Sequence, residues 1–149
     1  MYKAFSLIEL LIVIGIIGIL FSLAAIGYIH YSQKIRIERD IHTLYIALKQ
    51  LQVKAKTEKK FYCFRFIDNK TVQIVPGRSC ASSGGEILTF STPFKSSSQT
   101  FLINPLGVFN TRGNIYAIEN SSASIDCIVI DKFRVCEGKK NDGKCNCLY

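Results

Sequence analysis

Residues 1–30 read MYKAFSLIELLIVIGIIGILFSLAAIGYIH, and this stretch decides the architecture. From Phe5 to Ile29 the chain is apolar apart from one charge, Glu9. A run of about 25 residues is long enough to cross a bilayer as an α-helix. An ionised carboxylate inside such a helix nevertheless costs about 2.5–3.5 kcal/mol even on the lenient insertion scale. Glu9 therefore calls for a compensating partner. Only Met1, Tyr2, Lys3 and Ala4 precede the run, which continues past the point where a secretory signal would carry its cleavage site. The segment reads as retained.

Beyond the run the periodicity changes. Ile37, Ile41, Leu44, Leu48, Leu51 and Ala55 alternate spacings of four and three, which places them on one helix face. No Pro interrupts the way there, and no Gly after Gly27. One long helix is expected, apolar over 5–29 and amphipathic over 30–60. Lys54, Lys56, Lys59 and Lys60 near its end suit a helix C-terminus. The stripe lasts under three heptads, so it is expected to cover a sheet of its own domain and not to wind around a second helix.

Residues 61–149 have β texture. Phe61–Ile67 and Thr71–Val75 flank Asp68-Asn69-Lys70 as a hairpin would. Further strands are expected at Ile87–Ser91, Thr100–Ile103, Val108–Phe109, Asn114–Glu119, Ile125–Ile130 and Phe133–Cys136. Thr92–Gln99 reads as a loop, and the residues after Cys136 as a short polar tail. The fold class is α+β: a long N-terminal helix packed on one antiparallel β domain of modest size.

Six cysteines, Cys63, Cys80, Cys127, Cys136, Cys145 and Cys147, all follow the apolar run. An even count in an exported domain indicates disulfides, here up to three. Fifteen pairings exist. Proximity favours Cys63 with Cys80, leaving the other four to pair among themselves. A metal site is not expected: Cys145-Asn146-Cys147 lacks knuckle spacing, and His30 and His42 lie far from the cysteines in sequence.

The segment Lys3-Ala4-Phe5-Ser6-Leu7-Ile8-Glu9-Leu10-Leu11 resembles the class III signal of type IV pilins and type II secretion pseudopilins. The resemblance implies that a prepilin peptidase cuts between Ala4 and Phe5, removing leader 1–4, and methylates the new amine of Phe5. Ala4 stands where that family usually has Gly. The resemblance also gives Glu9 a role: it pairs with the N-terminal amine of a neighbouring subunit, and buried charges are tolerable when paired. Implied partners are the peptidase, other pilin or pseudopilin subunits, and the inner membrane, which holds the chain as a single span with its domain outside the cytoplasm until assembly. No cofactor is implied. The alternative is a plain single-pass anchor carrying an extracytoplasmic binding domain.

Phe101-Leu102-Ile103-Asn104-Pro105-Leu106-Gly107 with Gly113 resembles, loosely, the C-terminal domain of GspH/FimT-like minor pseudopilins and minor pilins. Some FimT-like proteins bind DNA through a Gly-Arg-x-Arg motif, to which Asp131-Lys132-Phe133-Arg134 corresponds only in degenerate form. The net charge of +8 invites the same idea. DNA-binding candidates are Lys132, Arg134, Lys139, Lys140 and Lys144. The excess charge lies elsewhere, however: residues 30–65 hold nine Lys/Arg against three acids, and residues 120–149 five against four. Catalysis is not expected. No His follows Lys60, there is no phosphate-cradling glycine loop or HExxH, and the carboxylates form no paired constellation.

Overall fold

A computed structural model describes residues 6–82, 84–119 and 122–148, and the backbone alone of residues 24 and 25. One helix, α1, runs from Leu7 to Glu58. It belongs to two compact units, residues 1–33 and 34–149.

In the second unit the stripe Ile37, Ile41, Leu44, Leu48, Leu51 and Ala55 is buried, with none of these residues more than 3 % exposed. The helix stops two residues short of the expected end at 60, because Lys59 turns left-handed (φ 55°) and the Lys60 N–H bonds the Ala55 carbonyl.

Nine strands follow among the described residues: β1 Tyr62–Phe66, β2 Thr71–Pro76, β3 Glu86–Thr89, β4 Phe94–Ser96, β5 Thr100–Ile103, β6 Gly113–Ala117, β7 Cys127–Ile130, β8 Val135–Asn141 and β9 Lys144–Cys147. They form two antiparallel sheets, ordered β3-β2-β1-β5 and β4-β6-β7-β8-β9. The buried face of α1 shares one core with Phe64, Val72, Phe101 and Ile103 of the first sheet and Ile115, Ile128, Ile130 and Val135 of the second. In the β1–β2 loop the Lys70 N–H bonds the Asp68 carboxylate (2.7 Å), and this bond, more than any other contact, holds that carboxyl below its usual range.

Three sequence expectations need correction. The stretch Thr92–Gln99 is not all loop, since Phe94–Ser96 pairs with β6. Its signal is one buried large apolar side chain, Phe94, amid serines. Val108–Phe109 contributes only an isolated bridge, Ile103 to Phe109, because the Asn104–Gly107 turn brings the chain straight back. Gly107 in that turn (φ +73°) lies so close to α1 that a Cβ would come within 2.6 Å of Lys56 Cε. Finally, the region after Cys136 is not a tail. It is a hairpin, β8–β9, turning at Asp142-Gly143 with φ 48° and 79°, the pair of left-handed residues that a two-residue hairpin loop prefers.

The disulfides join Cys63 to Cys80, Cys127 to Cys145, and Cys136 to Cys147. The first ties the β2–β3 loop to β1, beside an Arg65 guanidinium that donates to the Cys80 carbonyl (2.7 Å). The second reaches from β7 to β9 across the intervening β8. Gly138 lies between them, facing Cys127 on one side and Cys147 on the other. A Cβ there would sit 3.1 Å from Cys145 Sγ and 2.2 Å from the Asn146 carbonyl oxygen, so only glycine leaves room for the crossing.

Candidate functional site

The first unit is where sequence and structure disagree with the habits of a soluble protein. Its helix opens at Ser6, whose carbonyl accepts the N–H groups of Glu9 (3.0 Å) and Leu10 (3.2 Å). Glu9 thus lies in the first turn, where the positive end of the helix dipole favours a carboxylate. Its side chain is exposed and has no ion-pair or hydrogen-bond partner among the described residues. Ala4 and Phe5, the expected cleavage junction, lie outside the described residues.

Every side chain described between Ser6 and Ser32 is exposed. Leu7 is 77 % exposed, Phe21 73 % and Leu23 66 %, and the glycines at 15, 18 and 27 have open space around them. A folded monomer rarely shows an apolar patch beyond a few hundred Å². Here the first half of the helix is apolar on all sides apart from Glu9, and the helix is long and apolar enough to cross a membrane. Two hydroxyls along it are satisfied locally: Ser22 Oγ donates to the Gly18 carbonyl (2.9 Å) and Ser32 Oγ to the Ile29 carbonyl (3.0 Å). Tyr28 and Tyr31 are exposed at its end, with Lys34 and Arg36 next in sequence. That succession of aromatic and then basic residues is typical of a membrane–water boundary, and it was legible in the sequence.

The second unit offers a different chemistry. Asp40, on α1 and 5 % exposed, accepts the N–H groups of Ser91 (3.0 Å) and Thr92 (2.8 Å). Arg36 meets Glu119 at 2.6 Å and His42 meets Glu137 at 2.7 Å. Near the helix end the Tyr62 hydroxyl donates to Glu58 (2.5 Å), and burial together with that carboxylate pushes the phenol up to about 12. These groups fix α1 to the domain. None of them was singled out from the sequence, because each depends on a partner about 50 or more residues away or on burial at a helix end.

The five proposed DNA contacts do not converge. Lys132 and Arg134 are exposed in the β7–β8 turn, beside Asp131, which is paired with Arg112 at 3.0 Å. Lys139 is engaged inside the domain, donating to Asp126 (2.7 Å) and to the Ala123 carbonyl (2.5 Å). Lys140 lies over the Tyr116 ring at 4.4 Å. Lys144 begins β9, across β8 from the first pair by roughly 20 Å, the length of a seven-residue strand. Among the described residues no three His, Cys, Asp or Glu side chains could hold a metal ion.

Comparison with known proteins adds two findings. Residues 1–25 match the family described as the prokaryotic N-terminal methylation motif. No curated protein matches the chain. Among solved structures, the crystal structure of the type IV minor pilin FimU of Pseudomonas aeruginosa is similar in fold, with a TM-score of 0.61 and 11 % sequence identity. The match covers 80 % of this chain and 99 % of that one. The chain therefore joins an N-terminal methylation motif to the pilin fold, a long helix packed on an antiparallel domain with three disulfides.

Proposed function

We propose that this chain is a minor subunit of a type IV pilus, assembling through its N-terminal helix. The observation that carries the reading is the helical stretch from Leu7 to Ile29, apolar on every side, exposed at each described side chain, and bearing one carboxylate. Such a surface needs lipid or other helices around it. Before assembly it spans the inner membrane with the disulfide-bearing domain outside the cytoplasm, where an oxidising environment keeps the bridges closed. A prepilin peptidase removes residues 1–4 and methylates Phe5. The helix then leaves lipid for the filament interior, where Glu9 pairs with the amine of a neighbouring subunit. Likeness to FimU favours a pilus over a secretion or competence pseudopilus, and a minor over a major role. DNA binding through Lys132, Arg134, Lys139, Lys140 and Lys144 is not part of this reading, because those side chains form no single patch.

Two measurements test it. The intact mass of the protein recovered from membranes that contain its native machinery should show loss of residues 1–4 and gain of one methyl group. Glu9→Ala should remove the subunit from sheared filaments while leaving the unfolding of the domain unchanged. A full-length, unmethylated chain, or normal incorporation of the alanine variant, overturns the proposal.

A further inference from the structure

The charge of the second unit is segregated, and the segregation reaches beyond what a helix end requires. Lys54 and Lys56 in the last turns of α1 and Lys59 and Lys60 just past its end crowd one pole, and all are exposed. Arg78, from the β2–β3 loop, comes to the same pole: its guanidinium lies 4.4 Å from the ring of Phe61, and the Gly77 N–H next to it bonds the Phe61 carbonyl. Lys54 likewise lies over Tyr62, at 5.4 Å. Against these five cations stand Glu58, already accepting from Tyr62 and 3.9 Å from Lys60, and Glu86, which lines one cavity with Lys54.

Cations in a last helical turn complement the helix dipole. That accounts for Lys56 and its neighbours but not for Arg78, which comes from another element. Two apolar side chains also stand out to solvent at this pole. Val53, 63 % exposed, lies one helical turn before Lys56, and Leu106, 67 % exposed, adjoins the Gly107 turn packed against Lys56. Exposed apolar side chains between ordered cations fit a protein surface better than a phosphate backbone, which offers the apolar groups nothing.

A second copy cannot supply the complement. Glu119, Asp126, Asp131 and Glu137 are each matched by a basic group of their own chain. Asp68 and Asp142 stand apart on separate elements, and Glu86 lines a cavity with Lys54 of its own chain. Copies carrying a net +8 also repel one another.

Resting on the reading of this chain as an assembling subunit, we infer that the pole formed by Lys54, Lys56, Lys59, Lys60 and Arg78 docks onto an acidic face of a different pilin-type subunit. The contact is heterotypic, and it orients this chain toward a neighbour unlike itself.

The test places a photo-crosslinking residue at Val53 or, separately, at Ile12 of the full-length chain in its native membranes and filaments. The Val53 position should give an adduct with a different chain, identified by mass spectrometry, whose contacted segment is acidic. Lys56→Glu with Lys60→Glu should reduce that adduct at least tenfold and leave the Ile12 adduct unchanged, and the milder Lys56→Gln with Lys60→Gln should reduce it less. An adduct with a second copy, a nuclease-sensitive adduct, or one indifferent to charge reversal overturns the inference. Adducts from Ile12 with none from Val53 overturn it alone. Absence of adducts from both positions overturns the assembly reading as well.

Discussion

Ile16 and Ile41 lie on the same helix, yet the first is 54 % exposed and the second fully buried. Residue type and secondary structure are identical, so neither explains the difference. The sequence around them does. Near Ile16 every helix face is apolar, and none of the described side chains there is buried. Near Ile41 the apolar residues keep to one stripe, which two sheets of the same chain cover completely. The first unit has its solvent chosen by other molecules; the second carries its own. The stability of the domain should then be indifferent to what happens in the stem, and assembly should be sensitive to it.

The largest expected effect tests that independence directly. Phe64→Ala empties a wholly buried site between Phe66 and Phe101 and should cost about 3–5 kcal/mol in denaturant unfolding of the full chain in neutral detergent. Ile16→Ala should move the same transition by no more than about 0.5 kcal/mol. Comparable losses from both would break the comparison. Next in size is the bridge across Gly138: Cys127→Ala with Cys145→Ala should cost about 2–4 kcal/mol and expose the β8–β9 amides to hydrogen exchange before the rest of the domain.

Smaller effects sharpen the picture of how α1 is held. Asp40→Ala leaves the Ser91 and Thr92 N–H groups without their acceptor and should cost about 1–3 kcal/mol, read from thermal unfolding. The smallest concerns Tyr62. Its hydroxyl is raised from 10.0 to about 12, so the folded chain holds the proton more tightly than the unfolded one. The stability this represents is complete below pH 10 and disappears as the pH climbs to about 12. Tyr62→Phe should flatten the alkaline decline in that window and lower stability at pH 7 by about 1 kcal/mol.

What could be read in advance followed periodicity. The stripe from Ile37 to Ala55 is unambiguous because a 3.6-residue repeat has few competitors, and Thr100–Ile103 emerged with its observed ends because an Asn-Pro turn follows it directly. The failures share a cause. β4 and β9 are edge strands, each paired on one side only, and such strands are short and polar. Their alternation is correspondingly weak, and only Asp142-Gly143 announces the second. Asp40 and Arg78 escaped notice because their roles rest on partners brought close by the fold. The charge excess around residues 30–65 was visible as a number, but the meeting of four of its lysines, Lys54, Lys56, Lys59 and Lys60, with Arg78 needed the fold.

Disulfides also limit how far a chain can be drawn out by force. When the domain is pulled open, the 17 residues spanned by Cys63–Cys80 and the 18 spanned by Cys127–Cys145 cannot extend. At about 3.4 Å per residue they withhold roughly 110–120 Å of contour length. The bridge over Gly138 also couples three strands, so a pull on the C-terminal hairpin is passed to β7 instead of peeling β9 away. Reduction would convert a short, stiff extension into a long one. In this sense the cysteines specify the compliance of the subunit as well as its fold.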